Sequence, residues 1–259
     1  MKRYQKIIIG LAALSTMALG EGTITDRFSV YKVDDFSQLN SVPSFSLGAP
    51  AGLAGGFGGA FIGVSGITDK DDTDGGMSIG MGYGDPNKIG GNVSLGIGSI
   101  DPVDGGALNR GALNISAGHN FREHLIGVSV GVNSINLWHD NGEDYDKTPS
   151  IYVATTKLLA NERFPMAMTL GFGNNNYAKV NESGDKDEHF YPFLSGAVYV
   201  MPQLSLIADY TSDIVTLGIG VVPFPDLPVS LTFGAYDVGH ERDEDKVSFI
   251  GSLSVSFAL

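Results

Sequence analysis

From residue 77 onward the chain alternates apolar and small polar positions with a period of two. Met77, Ile79, Met81 and Tyr83 interleave with Ser78, Gly80, Gly82 and Gly84. Val93, Leu95 and Ile97 oppose Asn92, Ser94, Gly96 and Gly98, and Leu113, Ile115 and Ala117 oppose Asn114, Ser116 and Gly118. Ile126, Val128, Val130 and Val132 oppose Gly127, Ser129, Gly131 and Asn133, while Met166, Met168, Leu170 and Phe172 oppose Ala167, Thr169, Gly171 and Gly173. The rhythm returns at Val215–Val221 against Thr216, Gly218 and Gly220, and at Val229, Leu231 and Phe233 against Ser230, Thr232 and Gly234. It ends with Leu253, Val255, Phe257 and Leu259 against Ser252, Ser254 and Ser256. Side chains on a strand point alternately to its two faces, so each run predicts a strand with one greasy and one small polar face. Segments near 57–66, 150–158, 190–200 and 204–211 are less regular but strand-like. The total is twelve strands.

Two architectures use such strands. A soluble sandwich buries the apolar face and turns a charged face to water. Here the polar face is Gly, Ser, Thr and Asn, and Arg110, Lys157 and Asp209 are nearly the only charges within the strands. An uncharged solvent face invites edge-to-edge pairing. A membrane barrel reverses the assignment, with the apolar face on lipid and the small polar one around a lumen. The expected fold is therefore all-β, a transmembrane antiparallel up-and-down barrel of about twelve strands. Two further strands drawn from residues 21–56 would make fourteen.

The links support this reading and set the orientation. They alternate between long (67–75, 100–109, 137–148, 174–189, 239–246) and short (84–88, 119–124, 159–165, 201–203, 223–227), as expected for external loops and periplasmic turns. The exception is the Thr211-Ser212-Asp213 link, short on the long side. Charge follows the same division. The five long loops carry 18 of the 29 acids. Among them Asp71, Asp72, Asp74, Asp140, Glu143, Asp144, Asp146, Asp185, Asp187, Glu188, Asp243, Glu244 and Asp245 predict an acidic mouth that concentrates cations. Tyr83, Phe121, Phe164, Phe224 and Phe257 near the short turns, and Trp138, Phe172, Tyr177, Tyr191, Tyr210 and Tyr236 near the long loops, predict two interfacial girdles.

Composition narrows function. The net charge of −13 argues against a nucleic-acid partner, and the absence of Cys removes disulfides, thiol nucleophiles and Cys-ligated metals. The first twenty residues read as a signal peptide: Lys2, Arg3 and Lys6, then an apolar Ile7–Leu19 stretch, then Ala18 and Gly20 at a cleavage site. The expected organisation is signal peptide 1–20, an N-terminal segment 21–56, and a barrel 57–259.

Together, the leader, the dyad repeat, the alternating links and the terminal LSVSFAL run resemble a Gram-negative outer-membrane β-barrel. The likeness implies outer-membrane lipid and the barrel-insertion machinery as partners, the latter reading the last strand, which here ends in Leu259 with Phe257 two before it. The stretch 204–239 further resembles hairpins of small cyanobacterial-type outer-membrane proteins and, more loosely, barrel modules of exopolysaccharide-export proteins.

Twelve strands enclose a bore wider than small side chains fill. The expected lining is Ser78, Gly80, Asn92, Ser94, Asn114, Ser116, Ser129, Asn133, Thr169, Thr216, Ser230, Thr232, Ser252 and Ser254. Water fills such a lumen unless residues 21–56 fold into it as a plug; otherwise they extend into the periplasm, serve as a disordered lead-in, or add strands. The expected function is a passive, porin-like channel for small hydrophilic solutes with a weak cation preference. A closed structural barrel associated with surface-polysaccharide export is the alternative. A third is a lipid-modifying enzyme, since outer-membrane phospholipases use a Ser/His pair with an orienting Asn. His119, His124, His139, His189 and His240 form no such constellation by spacing. The expected protein is not an enzyme, and neither cofactor nor metal site is expected, His139-Asp140 being the best metal candidate. The pattern leaves the oligomeric state open.

Overall fold

A computed structural model describes residues 42–68, 73–98, 108, 110–139, 148–159, 164–179, 189–241 and 247–258. Twelve strands follow in chain order. They are β1 (Gly59–Thr68), β2 (Thr73–Asp85), β3 (Ile89–Gly98) and β4 (Arg110–Phe121). Next come β5 (Ile126–His139), β6 (Ser150–Leu159), β7 (Met166–Gly173) and β8 (Tyr191–Met201). The last four are β9 (Leu204–Thr211), β10 (Ile214–Val221), β11 (Val229–Tyr236) and β12 (Ser248–Ala258). Each pairs antiparallel with its sequence neighbours, and β1 closes on β12 from Gly59↔Ala258 to Thr68↔Phe249. That closure removes every sheet edge, the condition for a strand assembly to cross lipid. It also leaves no place for the two extra strands that a fourteen-strand barrel requires.

The period-two pattern sets which face meets which medium. Ile79 and Met81 on β2, Met168 and Leu170 on β7, Leu206 on β9, Leu217 on β10 and Phe233 on β11 are all exposed on the outer surface. Ser78, Thr169, Ser205, Thr216 and Thr232, each one position along the chain from such a residue, are buried inside. An exterior band this apolar is insoluble in water and matched to hydrocarbon. Where the outer face lacks a side chain, an aromatic ring covers it. Trp138 lies over Gly111 and Tyr83 over Gly91, and a Cβ at either glycine would stand within 2.6 Å of those rings or hydroxyls.

Two irregularities shape the long-loop end. The β4–β5 ladder shifts register between Gly111 and Ala112 and again between Leu113 and Ile115. At the second shift Ser134 takes φ 61°, so consecutive residues Asn133 and Ser134 are both buried. The β9–β10 hairpin turns through Ser212 and Asp213 alone, both at positive φ (57° and 66°), the paired left-handed geometry that matches strand twist in two-residue loops.

Candidate functional site

The interior is not a hollow of small residues. One part of the wall, on β2–β4 and β10–β12, carries the expected Ser, Thr, Asn and Gly. The other, on β6–β9, carries Tyr152, Leu158, Phe193, Tyr199 and Ile207, all buried. Phe61 on β1 also points inward, its ring filling the space over Gly80.

What occupies the remaining bore is the chain's own segment 42–56, VPSFSLGAPAGLAGG. Every residue in it is buried. Its apolar members Val42, Phe45, Leu47, Ala51 and Leu53 pack on Leu158, Ala167, Ala197, Tyr199 and Ile207, with Leu125 and Ile250 alongside. Ala49 packs with Tyr152, Ala154, Tyr177 and Phe193. Burying side chains such as Phe45 and Leu47 contributes about 1.5–3 kcal/mol each before ordering costs.

The segment's backbone polar groups find partners among the small polar residues of the wall. The Ser205 hydroxyl donates to the Ser44 carbonyl. Ser129 Oγ donates to Ala51 O at 2.8 Å, and Gly52 N–H donates to Thr156 Oγ1 at 2.8 Å. Asn120 grips Ala54 from both sides, accepting its N–H at 3.0 Å and donating to its carbonyl at 2.9 Å. Gly52 is held so close that a Cβ there would stand 2.4 Å from the Thr156 nitrogen. These contacts trace a re-entrant path. Ser44 lies beside Ser205, at the start of β9, and Gly56 beside Gly84 and Pro86, in the β2–β3 link. Both limbs therefore run to the short-link end.

The apex of this loop sits on Asp209 of β9. The amides of Leu47, Gly48 and Ala49 converge on its Oδ2 at 2.7, 2.8 and 3.2 Å. Ser46 Oγ lies 2.9 Å from the same oxygen and 2.6 Å from Ala49 O, so its single proton bridges the two. Ser195 Oγ does the same between Oδ1 and the Phe45 carbonyl. A buried carboxylate is costly unless hydrogen-bonded. Three convergent amides form the kind of concave nest that holds an anion.

The long-loop end has its own stopper. Residues Asn175–Tyr177 form a single helical turn in the β7–β8 link, tucked under the rim. Tyr177 is buried against Tyr152 and Phe193, and its hydroxyl accepts from Asn133 Nδ2 at 2.6 Å. Asn176 Nδ2 donates to Ser134 Oγ at 2.8 Å, and Ser212 Oγ donates to the Asn176 carbonyl at 2.8 Å. Lys179, next along this link, pairs with Asp213 of the β9–β10 turn. Across the bore, Arg110 Nη2 donates to Asp74 Oδ2 at 2.5 Å, both largely withdrawn from solvent.

Of the expected lining residues, Ser78, Gly80, Asn92, Ser94, Asn114, Ser129, Asn133, Thr169, Thr216, Ser230, Thr232 and Ser254 are buried at inward register positions. Ser116 and Ser252 face inward and are half-buried. Of the acidic mouth only Asp74 is described, and it serves Arg110. Asp71, Asp72, Asp140, Glu143, Asp144, Asp146, Asp185, Asp187, Glu188, Asp243, Glu244 and Asp245 lie outside the described residues, as do the leader and residues 21–41. Two girdle assignments are corrected. Tyr177 and Tyr236 are 1% and 7% exposed and sit inside the barrel, because the first lies in an infolded link and the second shares the inward parity of Ser230 and Thr232. Of the alternatives for residues 21–56, the described part, 42–56, lies inside the bore. Asp209 and Ser195, the centre of the arrangement, were not on the expected lining. Asp209 was visible in the sequence as one of very few charges inside a strand.

Among the described residues no group of three or more His, Asp or Glu side chains stands ready to hold a metal. His119 faces outward near the short-link end, its Nδ1 2.6 Å from the Lys88 carbonyl and its ring edge-on to Phe121. His139 Nδ1 lies 3.3 Å from Asn136 Nδ2.

No family model and no curated protein matches the sequence. Solved structures of similar shape include the Salmonella typhi outer membrane phospholipase (OMPLA) dimer with bound calcium, at 10% identity and TM-score 0.45, covering 79% of this chain and 91% of that one. The NanC porin matches at 11% identity and TM-score 0.46 over 76% of this chain and 100% of that one. An outer membrane channel from Pseudomonas putida F1 matches at 10% and 0.46 over 82% and 99%. Such remote likeness concerns barrel shape and does not bear on what passes through or reacts on the surface. The closed ladder and the apolar exterior make the described chain a twelve-stranded β-barrel of the membrane-spanning kind, with residues 42–56 inside its bore.

Proposed function

We propose that the protein is an outer-membrane channel for small hydrophilic solutes whose resting state is closed by residues 42–56. The observation that supports this reading is how the lumen wall is built. Beside the apolar contacts on β6–β9, the groups holding the segment are hydroxyls, carboxamides and a carboxylate, and water or a polar solute satisfies these equally well once the segment leaves. The test is planar-bilayer recording of purified protein. The full chain is expected to give rare openings, and a variant lacking 21–55 steady conductance steps. If that variant keeps a heat-sensitive folded band on gels yet never conducts, the channel reading fails.

The second reading, a permanently closed structural or export-associated barrel, is favoured by the density of bonds to the plug. It predicts that removal of 21–55 opens conductance without any physiological release. The lipid-modifying alternative predicts loss of activity on detergent-dispersed phospholipid when all five histidines are replaced by alanine.

A further inference from the structure

We infer that Asp209 has two roles in the channel reading on which this inference rests: it latches the plug when the barrel is closed, and it selects cations once residues 42–56 withdraw. Charge is sparse inside the wall. Among the described strand residues, the charged side chains at inward positions are Asp74, Arg110 and Asp209. Asp74 and Arg110 neutralise each other near the long-loop end. Asp209, five positions into β9 from the short-link end, takes four of its five hydrogen-bond donors from the plug, the Leu47, Gly48 and Ala49 amides and the Ser46 hydroxyl, and the fifth from Ser195 of the neighbouring strand.

Withdrawal of the loop removes that entire set of donors except Ser195. Because both limbs run to the short-link end, the loop leaves through that end without threading past a strand. What it leaves behind is a carboxylate partway down a bore whose remaining lining is hydroxyls, carboxamides and, on β6–β9, apolar and aromatic side chains. A single uncompensated charge in a narrow, low-dielectric tube attracts cations and repels anions far more strongly than loop charges bathed in bulk salt. Cation preference thus belongs to the interior and not to the acidic loops. The same geometry makes closing self-limiting, since the nest of amides has one anion to bind.

The chain lacks cysteine, so a single Ser44→Cys substitution, near-isosteric at a buried plug position, reports withdrawal without conductance. In the folded full-length protein a maleimide is expected to label it slowly. Adding Asp209→Ala is expected to speed labelling about tenfold, the shift that loss of a charge-assisted hydrogen bond to the nest produces. If Asp209→Ala leaves no heat-sensitive folded band, Asp209→Asn carries the same reporter. Unchanged labelling in the folded variant overturns the latch. For selectivity, reversal potentials of the variant lacking 21–55 are read in a KCl gradient. Cation preference that falls away with Asp209→Asn supports the filter, and preference that persists overturns it. Absence of any conductance refutes the channel reading and the filter with it, while the labelling result still decides the latch.

Discussion

Asn120 is a clear example of one residue doing the work of a strand. Its carboxamide has the donor–acceptor spacing of a peptide group, and it uses both atoms on the backbone of Ala54, so the plug pairs with a side chain as it would with a neighbouring ladder. Replacing it with alanine strands a buried N–H and a buried carbonyl together, which costs about 1–3 kcal/mol even where water reaches one of them. The expected result for Asn120→Ala is a lower midpoint for loss of the folded gel band, with the strand spectrum intact. A midpoint equal to wild type means that the Ala54 limb is not held there. The role of Asn120 was not legible beforehand, nor was that of Ser195 or Thr156. The plug presents backbone groups that every sequence has, so nothing in VPSFSLGAPAGLAGG announces its partners. Only the oddity of an aspartate inside the strand LSLIADYT pointed at the latch.

At the level of elements, legibility tracks contrast between the two faces. β2, β3, β7 and β10 were plain because one face is Gly, Ser or Thr and the other is Met, Ile, Leu or Val. β6 and β8 were blurred because their inward faces carry Tyr152, Leu158, Phe193 and Tyr199, rings and branches that erase the contrast while filling the bore. The infolded turn Asn175–Tyr177 was missed because loops of that length are ordinarily solvated and its tyrosine suited an interface belt. That turn depends on a contact with testable electrostatics. The hydrogen bond and charge of Asp213 raise the Lys179 ammonium above its ordinary value. A cationic group whose folded value is raised stabilises fully below its unfolded value and loses that contribution as pH climbs through the folded one. The turn is therefore expected to loosen only above about pH 10.4, and high salt should mimic the change because the pair is half-exposed. Thermal midpoints of wild type and Lys179→Met, compared between neutral and strongly alkaline pH, check it. The alkaline decrement should be smaller in the variant.

The whole molecule separates wall from filling. The wall's backbone hydrogen bonds run between strands and close through the ten β1–β12 pairs, and none of that ladder passes through residues 42–56. Lipid contact with the outer band is also independent of the plug. A barrel lacking 21–55 is accordingly expected to reach the membrane and keep its β spectrum. Its stability must still fall. Leu158, Tyr199 and Ile207 lose the apolar partners Val42, Phe45, Leu47 and Leu53, and at roughly 25 cal/mol per Å² of apolar surface returned to water the loss is several kcal/mol. Part of this is recovered because the hydroxyls and amides released from the plug become hydrated. The expected outcome is a folded, heat-sensitive band that melts at lower temperature than the full chain. Loss of the β signature altogether would mean that the segment templates the wall during closure. An unchanged melting temperature would mean that the interior contacts contribute nothing net and that the plug rests in the bore at no thermodynamic advantage.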